Sequence, residues 1–140
     1  MVFLIDRLLF NKTMSVLEQG LNAASLRNTV IANNLANVET PGYKRSDVVF
    51  EEELRKALSQ NNSFTGFRTN EKHIPIGSPS VINVSPQTVI EKDTTMRNDG
   101  NNVDIDREMA ALAKNEIMYQ AIAQELNEEF QKLKSAIAGR

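Results

Sequence analysis

The sequence predicts a mainly α protein: two long N- and C-terminal helices pairing as an antiparallel coiled coil, joined by a short irregular segment with some β structure. Three observations predict it. An apolar stripe in alternating steps of three and four residues runs from Met14 to Val38, and a second runs from Ile105 to Ile137. Between them, over residues 59–102, the composition turns to Ser, Asn, Thr, Gly and Pro. Aromatic residues are also scarce, with no Trp, two Tyr and six Phe. A core built on aliphatic side chains suits helices packed along their length better than a sheet sandwich.

The first stripe reads Met14, Leu17, Leu21, Ala24, Asn28, Ile31, Leu35, Val38, a period of 3.5. Thr13 or Ser15 is expected to cap it, and Gly20 is a weak point inside it, costing about 1 kcal/mol relative to Ala. The second stripe reads Ile105, Met109, Leu112, Glu116, Tyr119, Ala123, Leu126, Phe130, Leu133, Ile137. Asp104 is its expected N-cap, Asp106 and Glu108 suit the positive end of the helix dipole, Lys132 and Lys134 the negative end, and Gly139 stops it. If the seams meet antiparallel, Leu17 lies near the stretch from Phe130 to Ile137, and Leu35 near the start of the second helix. Leu26 and Val30, and Ile117, Met118 and Ile122, fall outside the seams. One partner helix cannot cover both surfaces, so further helices from neighbouring subunits are expected.

The middle divides less sharply. Residues 47–58 read as a short amphipathic helix, and the apolar runs at 80–84 and 88–90 as one or two short strands. This gives three segments: 1–45, 46–102 and 103–140, the two terminal helices forming one unit.

Composition excludes several classes of function. The 16 basic and 18 acidic residues are scattered and leave a net charge of -2, which gives no electrostatic footprint for nucleic acid. Without cysteine there is neither a disulfide framework nor a thiolate metal site. Asp6 and Arg7 interrupt the apolar N-terminus, no basic region precedes it and no small-residue cleavage site follows, so no Sec signal peptide and no membrane span are expected. His73 is the single histidine, and no nucleophile elbow, P-loop or dinucleotide fingerprint accompanies it. The acidic run at 99–108 fails the EF-hand spacing, because Gly100 follows Asp99 directly, and reads better as a turn followed by the Asp104 cap. No enzyme activity, metal or cofactor is expected.

Three features carry more specific information. Asn28 and Glu116 are polar positions inside apolar seams, where such residues can fix register or partner number. Asn33, Asn34 and Asn37 crowd three weak helix formers into a turn and a half, either as capping at a helix end or as hydrogen bonding into a tightly packed neighbour. Thr40-Pro41-Gly42-Tyr43 has the Pro-Gly centre of a type II turn with Gly42 at positive φ, so the helix ends near Val38 and the chain leaves in a set direction, presenting Tyr43, Lys44 and Arg45.

The stretch Ala32-Asn33-Asn34-Leu35-Ala36-Asn37, followed by Thr40, Gly42, an aromatic at Tyr43 and a basic residue at Lys44, resembles the N-terminal signature of the bacterial flagellar axial proteins, the rod and hook subunits. Residues 97–126 are similar to a small proximal rod subunit of that family, although Tyr119-Gln120-Ala121-Ile122 stands where other axial proteins tend to carry a Tyr-Glu-Ala-Asn-like element. The resemblance implies a structural protein exported by the flagellar type III apparatus and polymerised in the periplasm as part of the drive shaft. Its implied partners are copies of itself, other rod proteins, the rod-to-membrane-ring adaptor and the export apparatus. The Asn trio would then lie where helices of adjacent subunits crowd, and the turn would send the chain into the next layer. Two other classes stand beside this reading. An adaptor or export chaperone would use the same seams in a closed dimer, and a hydrolase would need a cleft in residues 45–100.

Overall fold

The computed structural model describes residues 12–60, 83–92 and 94–139. Helix α1 spans Lys12–Ala36, strand β1 Ser46–Val49, helix α2 Glu51–Gln60, strand β2 Gln87–Ile90 and helix α3 Ile105–Ala138. His73 and residues 80–82 lie outside the described residues.

Helices α1 and α3 pack antiparallel along their length. Gly20 faces Ile122, the Ala24 carbonyl meets Asn115, Arg27 meets Met118, and Asn34 meets Glu108. From Gly20 to Asn34, and from Ile122 back to Glu108, is about fourteen residues on each helix, roughly 21 Å of matched rise. This register sets Leu17 level with about residue 125, nearer the middle of α3 than the seams suggest, and Leu35 level with about residue 107.

The seams face each other only in part. On α1, Ala24 and Ile31 of the predicted stripe are buried, together with Ala23, Val30 and Asn34. On α3 the buried residues are Glu108 and Asn115, with Ala111, Leu112, Met118 and Ile122 half-buried beside them. Of the predicted stripe, Ile105, Met109, Glu116, Tyr119, Phe130 and Ile137 are exposed, Ile137 to 85%, whereas Leu112, Ala123, Leu126 and Leu133 are half-buried. Over its first half helix α3 therefore turns a row displaced by about one residue toward α1, and beyond Ile122 the predicted stripe itself is the less exposed side. Small residues account for the choice: Gly20, Ala23 and Ala24 let the helices approach, and a Cβ on Gly20 would stand 3.3 Å from the Ile122 methyl. The glycine that costs helix propensity is the point of close passage.

The caps of α3 follow the sequence, although Lys132 and Lys134 fall short of its last turn and Lys132 pairs with Glu129 instead. Asp104 adopts an extended conformation and its carboxylate accepts from the Asp106 N–H, while Gly139, at φ 69, donates to the Ser135 carbonyl. The expected cap of α1 is corrected: Thr13 and Ser15 lie inside the helix, which already includes Lys12, and Ser15 Oγ accepts from Gln19.

Residues 46–49 form β1 rather than the start of an amphipathic helix, which begins only at Glu51. The adjacent β-branched Val48 and Val49 suit a strand. β1 pairs antiparallel with β2, Ser46 opposite Ile90 and Val49 opposite Gln87, and β2 contains the apolar run at 88–90. A two-stranded ribbon is marginal alone. It is held because Val48 and Phe50 are buried and Arg27 of α1 reaches both the Val48 carbonyl and Glu51, at 3.2 and 2.8 Å. The described hydrophobic core is small, with Val103 adding to the residues already named. No described helix is long and apolar enough to cross a membrane.

Candidate functional site: the junction of the two signature stretches

Residues 33–45 and 97–108, separate in sequence, meet in one buried polar junction. Helix α1 ends at Ala36, and the Tyr43 N–H donates to the Thr40 carbonyl at 3.3 Å, closing the turn through Pro41 and Gly42 with Gly42 at φ 72. A second turn lies against it: Gly100, at φ 85, sits where an added Cβ would touch the Gly42 Cα at 3.7 Å, and the Gly42 N–H donates to the Asp99 carbonyl at 3.0 Å.

Asn101 joins the two turns. Its fully buried amide nitrogen donates to the carbonyls of Asn37, Val38 and Thr40 at 2.9 to 3.0 Å, and its amide oxygen accepts the Val103 N–H at 2.7 Å. The last carbonyls of a helix lack intrahelical partners. Here a residue sixty-odd positions away takes up the carbonyls of the turn just past the helix end, its two amide N–H groups shared among three acceptors. Lys44 bends back over the same loop, donating to the Gly100 and Thr94 carbonyls at 2.9 Å each.

Asn34 closes the edge of β1. Alternate residues of a strand point their backbone groups to opposite sides. The Arg45 carbonyl accepts from Glu91 N–H at 2.8 Å, whereas the Ser46 N–H and carbonyl are taken by the amide oxygen and nitrogen of Asn34 at 3.0 and 2.8 Å. Asn34 Nδ2 also donates to Glu108 at 2.9 Å, and the Tyr43 hydroxyl reaches Asn34 Oδ1 at 3.4 Å. Asn102 fixes the other side, accepting the Arg45 N–H at 2.7 Å and donating to the Glu91 carbonyl and Thr94 Oγ1.

At the centre is a buried ion pair. Glu108 is fully buried and accepts from Arg45 Nε at 2.6 Å on one oxygen and from Asn34 on the other. The Arg45 side chain, 5% exposed, also contacts Asp47 at 3.1 Å and Glu91 at 2.8 Å. Burial pushes the guanidinium pKa down, but the hydrogen bonds and charges of Glu108 and Asp47 outweigh it and raise the pKa above the ordinary arginine value. The pair satisfies the condition under which a buried charge is tolerated, close geometry with the remaining lone pairs occupied.

The junction changes the expected roles of several residues. Asn34 is spent within its own chain rather than offered to a neighbour, because the Ser46 backbone and Glu108 take both ends of its amide. Asn37 acts at the helix end: its Nδ2 donates to the Asn33 carbonyl and its Oδ1 accepts from Thr40. The side chain of Asn33 is exposed. Arg45 turns inward instead of outward, drawn by the buried carboxylate. Leu35 and Val38 are half-buried, while Ala36, Thr40, Pro41 and Gly42 are exposed. Glu108, Asn101 and Asn102 were not legible as a site, since an acidic residue in a first helical turn reads as dipole compensation. The run of polar residues at 98–102, without a ligand motif, was the available signal.

Among the described residues no group of His, Cys, Asp and Glu could hold a metal ion. The junction holds chain segments in place by a closed network, in which Arg45 is matched by Glu108, Asp47 and Glu91 and Lys44 by backbone carbonyls.

A family model described as flagella basal body rod protein matches residues 14–44, the whole of the α1 stripe and the turn. The chain is 37% identical to the flagellar basal body rod protein FlgB of Bacillus subtilis over 94% of its own length and 97% of that protein. It is 38% identical to the protein of that name in Borreliella burgdorferi, over 79% of this chain and 84% of that one, and 34% identical to that of Escherichia coli, over 74% and 76%. Likeness at this level across nearly the whole length, including both stretches that build the junction, shows that the chain belongs to the FlgB family of flagellar basal body rod proteins.

Proposed function

We propose that this structural rod subunit polymerises through its paired terminal helices, residues 1–45 and 103–140 forming the inner layer of the rod wall and residues 46–102 lying outside it. The observation that carries the reading is the set of large seam side chains that α3 leaves exposed. Ile105, Met109, Tyr119 and Phe130 are each about half exposed although α1 packs along the other face of α3 over this stretch, and Ile137, past the level of Lys12, is more exposed still. Ile117, on neither face, is 70% exposed. A row of large apolar side chains left open on a helix is costly in water, and covering it with a neighbouring helix recovers about 25 cal/mol per Å² of apolar surface. The closed junction complements this: it sets the angle at which the chain leaves the helix pair, so each subunit presents the same seam to its neighbours.

In this reading the subunit passes through the type III export apparatus and joins other rod proteins and the rod-to-membrane-ring adaptor in the periplasm. The similarity to rod proteins over nearly the whole chain gives no support to an export chaperone or adaptor dimer. The test uses the absence of native cysteine. Phe130→Cys and Tyr119→Cys react with a maleimide in the dilute subunit and become protected in isolated basal bodies. Equal reactivity in both states overturns the proposal.

A further inference from the structure

We propose that the groove between α1, β1 and α3 beside Lys114 receives the α3 seam of a second copy of this chain, with the second copy's Glu116 set against Lys114. The inference rests on the polymerising reading above and names the surface that covers the seam. The groove has a volume of about 480 Å³, and Ile31, Val48, Ala111 and Met118 give it an apolar lining. Its charges are matched with one exception. Arg27 pairs with Glu51 at 2.8 Å and Arg45 with Asp47 at 3.1 Å, whereas Lys114 is exposed and has no hydrogen bond or ion pair among the described residues. An apolar groove with one spare positive charge suits an apolar surface with one negative charge.

The α3 seam is such a surface. Glu116 is its single charged residue, standing between Met109 and Tyr119, and all three are exposed. Like Lys114, Glu116 has no ion pair among the described residues. Once the seam is covered, this carboxylate loses water and needs a cation, because a charge buried without a partner is costly. The same chain carries that cation next to a surface of matching polarity.

The two patches cannot meet within one subunit. Lys114 and Glu116 are two residues apart on α3, about 200° around the helix, so the groove and the seam lie on opposite sides of it. A contact between copies through two different patches is heterologous, and it repeats from subunit to subunit instead of closing as a two-fold dimer. With the helices of the two copies parallel, setting the second copy's Glu116 level with Lys114 shifts that copy by only about 3 Å along the axis. The contact therefore joins subunits side by side rather than end to end.

The test uses the full chain assembled into basal bodies. Lys114 and Glu116 are exposed, so their variants are expected to retain the subunit fold, which circular dichroism checks. In the Lys114→Cys, Glu116→Cys double variant, which has no other cysteine, a short bis-maleimide reagent is expected to give a ladder of products built only from this chain and extending beyond the dimer. Neither single variant gives the ladder. Lys114→Glu is expected to lower the yield of assembled rods about tenfold or more by setting two carboxylates together, and adding Glu116→Lys, which reverses the pair, to restore most of that yield. Products no larger than the dimer, a product with a different axial protein alone, or no product overturns the proposal. So does undiminished assembly of Lys114→Glu, or a reversed pair that assembles no better than Lys114→Glu alone. When the ladder is missing, protection of Phe130→Cys in basal bodies leaves the polymerising reading standing, and its continued reactivity removes both.

Discussion

Arg45 and Glu108 stand 63 positions apart in sequence and 2.6 Å apart in space, in contact where the chain leaves α1 and where α3 begins. Neither stretch could occupy its place without the other. Glu108→Ala leaves the Arg45 charge and the Asn34 amide buried with partners missing, and should destabilise the subunit by about 3–5 kcal/mol in urea unfolding. The double variant Arg45→Met with Glu108→Leu should recover a large part of that loss, because no uncompensated charge remains. A double variant as unstable as Glu108→Ala would show that the pair does more than neutralise itself.

The same pair sets a pH expectation. A raised arginine pKa in the folded state contributes stability that is fully present below the unfolded value and lost only as pH rises through the folded one, a window above the ordinary arginine value. The contribution of Arg45 should therefore be constant between about pH 6 and pH 10. A difference between wild type and the Arg45→Met, Glu108→Leu double variant that changes steadily across this range in urea midpoints would contradict the assignment.

Gly20 tests the close passage of the helices. Gly20→Leu should force α1 away from Ile122 and cost about 1–3 kcal/mol, whereas Gly20→Ala gains up to about 1 kcal/mol of helix propensity against a contact that the Ile122 methyl can relieve by a small shift. Thermal denaturation of the two variants should place them on opposite sides of each other by at least about 1 kcal/mol. Equal stability would mean the helices do not pass closely at this point.

Asn101 and Gly42 hold the turn from two sides. Asn101→Ala removes the donor to three carbonyls of the turn after α1 and should cost about 1–3 kcal/mol. At Gly42 there is open space for a side chain, so the cost is torsional. Gly42→Val should lose about 1 kcal/mol or more and impair motility, while Gly42→Asn, tolerant of positive φ, should be close to wild type. Normal motility of Gly42→Val would remove the turn from the assembly mechanism.

What could be read from the sequence was what periodicity and capping chemistry report locally. The two helices, the Asp104 and Gly139 ends of α3 and the turn at Pro41-Gly42 were all legible, because each follows from a few adjacent residues. The face by which α3 docks was not. The row through Glu108, Asn115 and Met118 is less apolar than the seam beside it, and it wins because Gly20, Ala23 and Ala24 allow close approach and because Asn34 and Arg45 are already in place to receive Glu108. Partners so far apart in sequence leave no local trace, so Asn101 and Asn102 read as turn residues and Asn34 as an interface residue. Strand β1 was masked by the strong helix signal of the glutamates that follow Phe50.

The central claim is that each subunit closes its own junction and keeps the α3 seam for its neighbours. Density for the side chains of the assembled rod tests it most directly. The account predicts Asn34, Arg45 and Glu108 in contact within one chain, and Met109, Tyr119 and Phe130 covered by a helix of another. A junction built from residues of two different subunits, or a seam facing solvent in the finished rod, would contradict it.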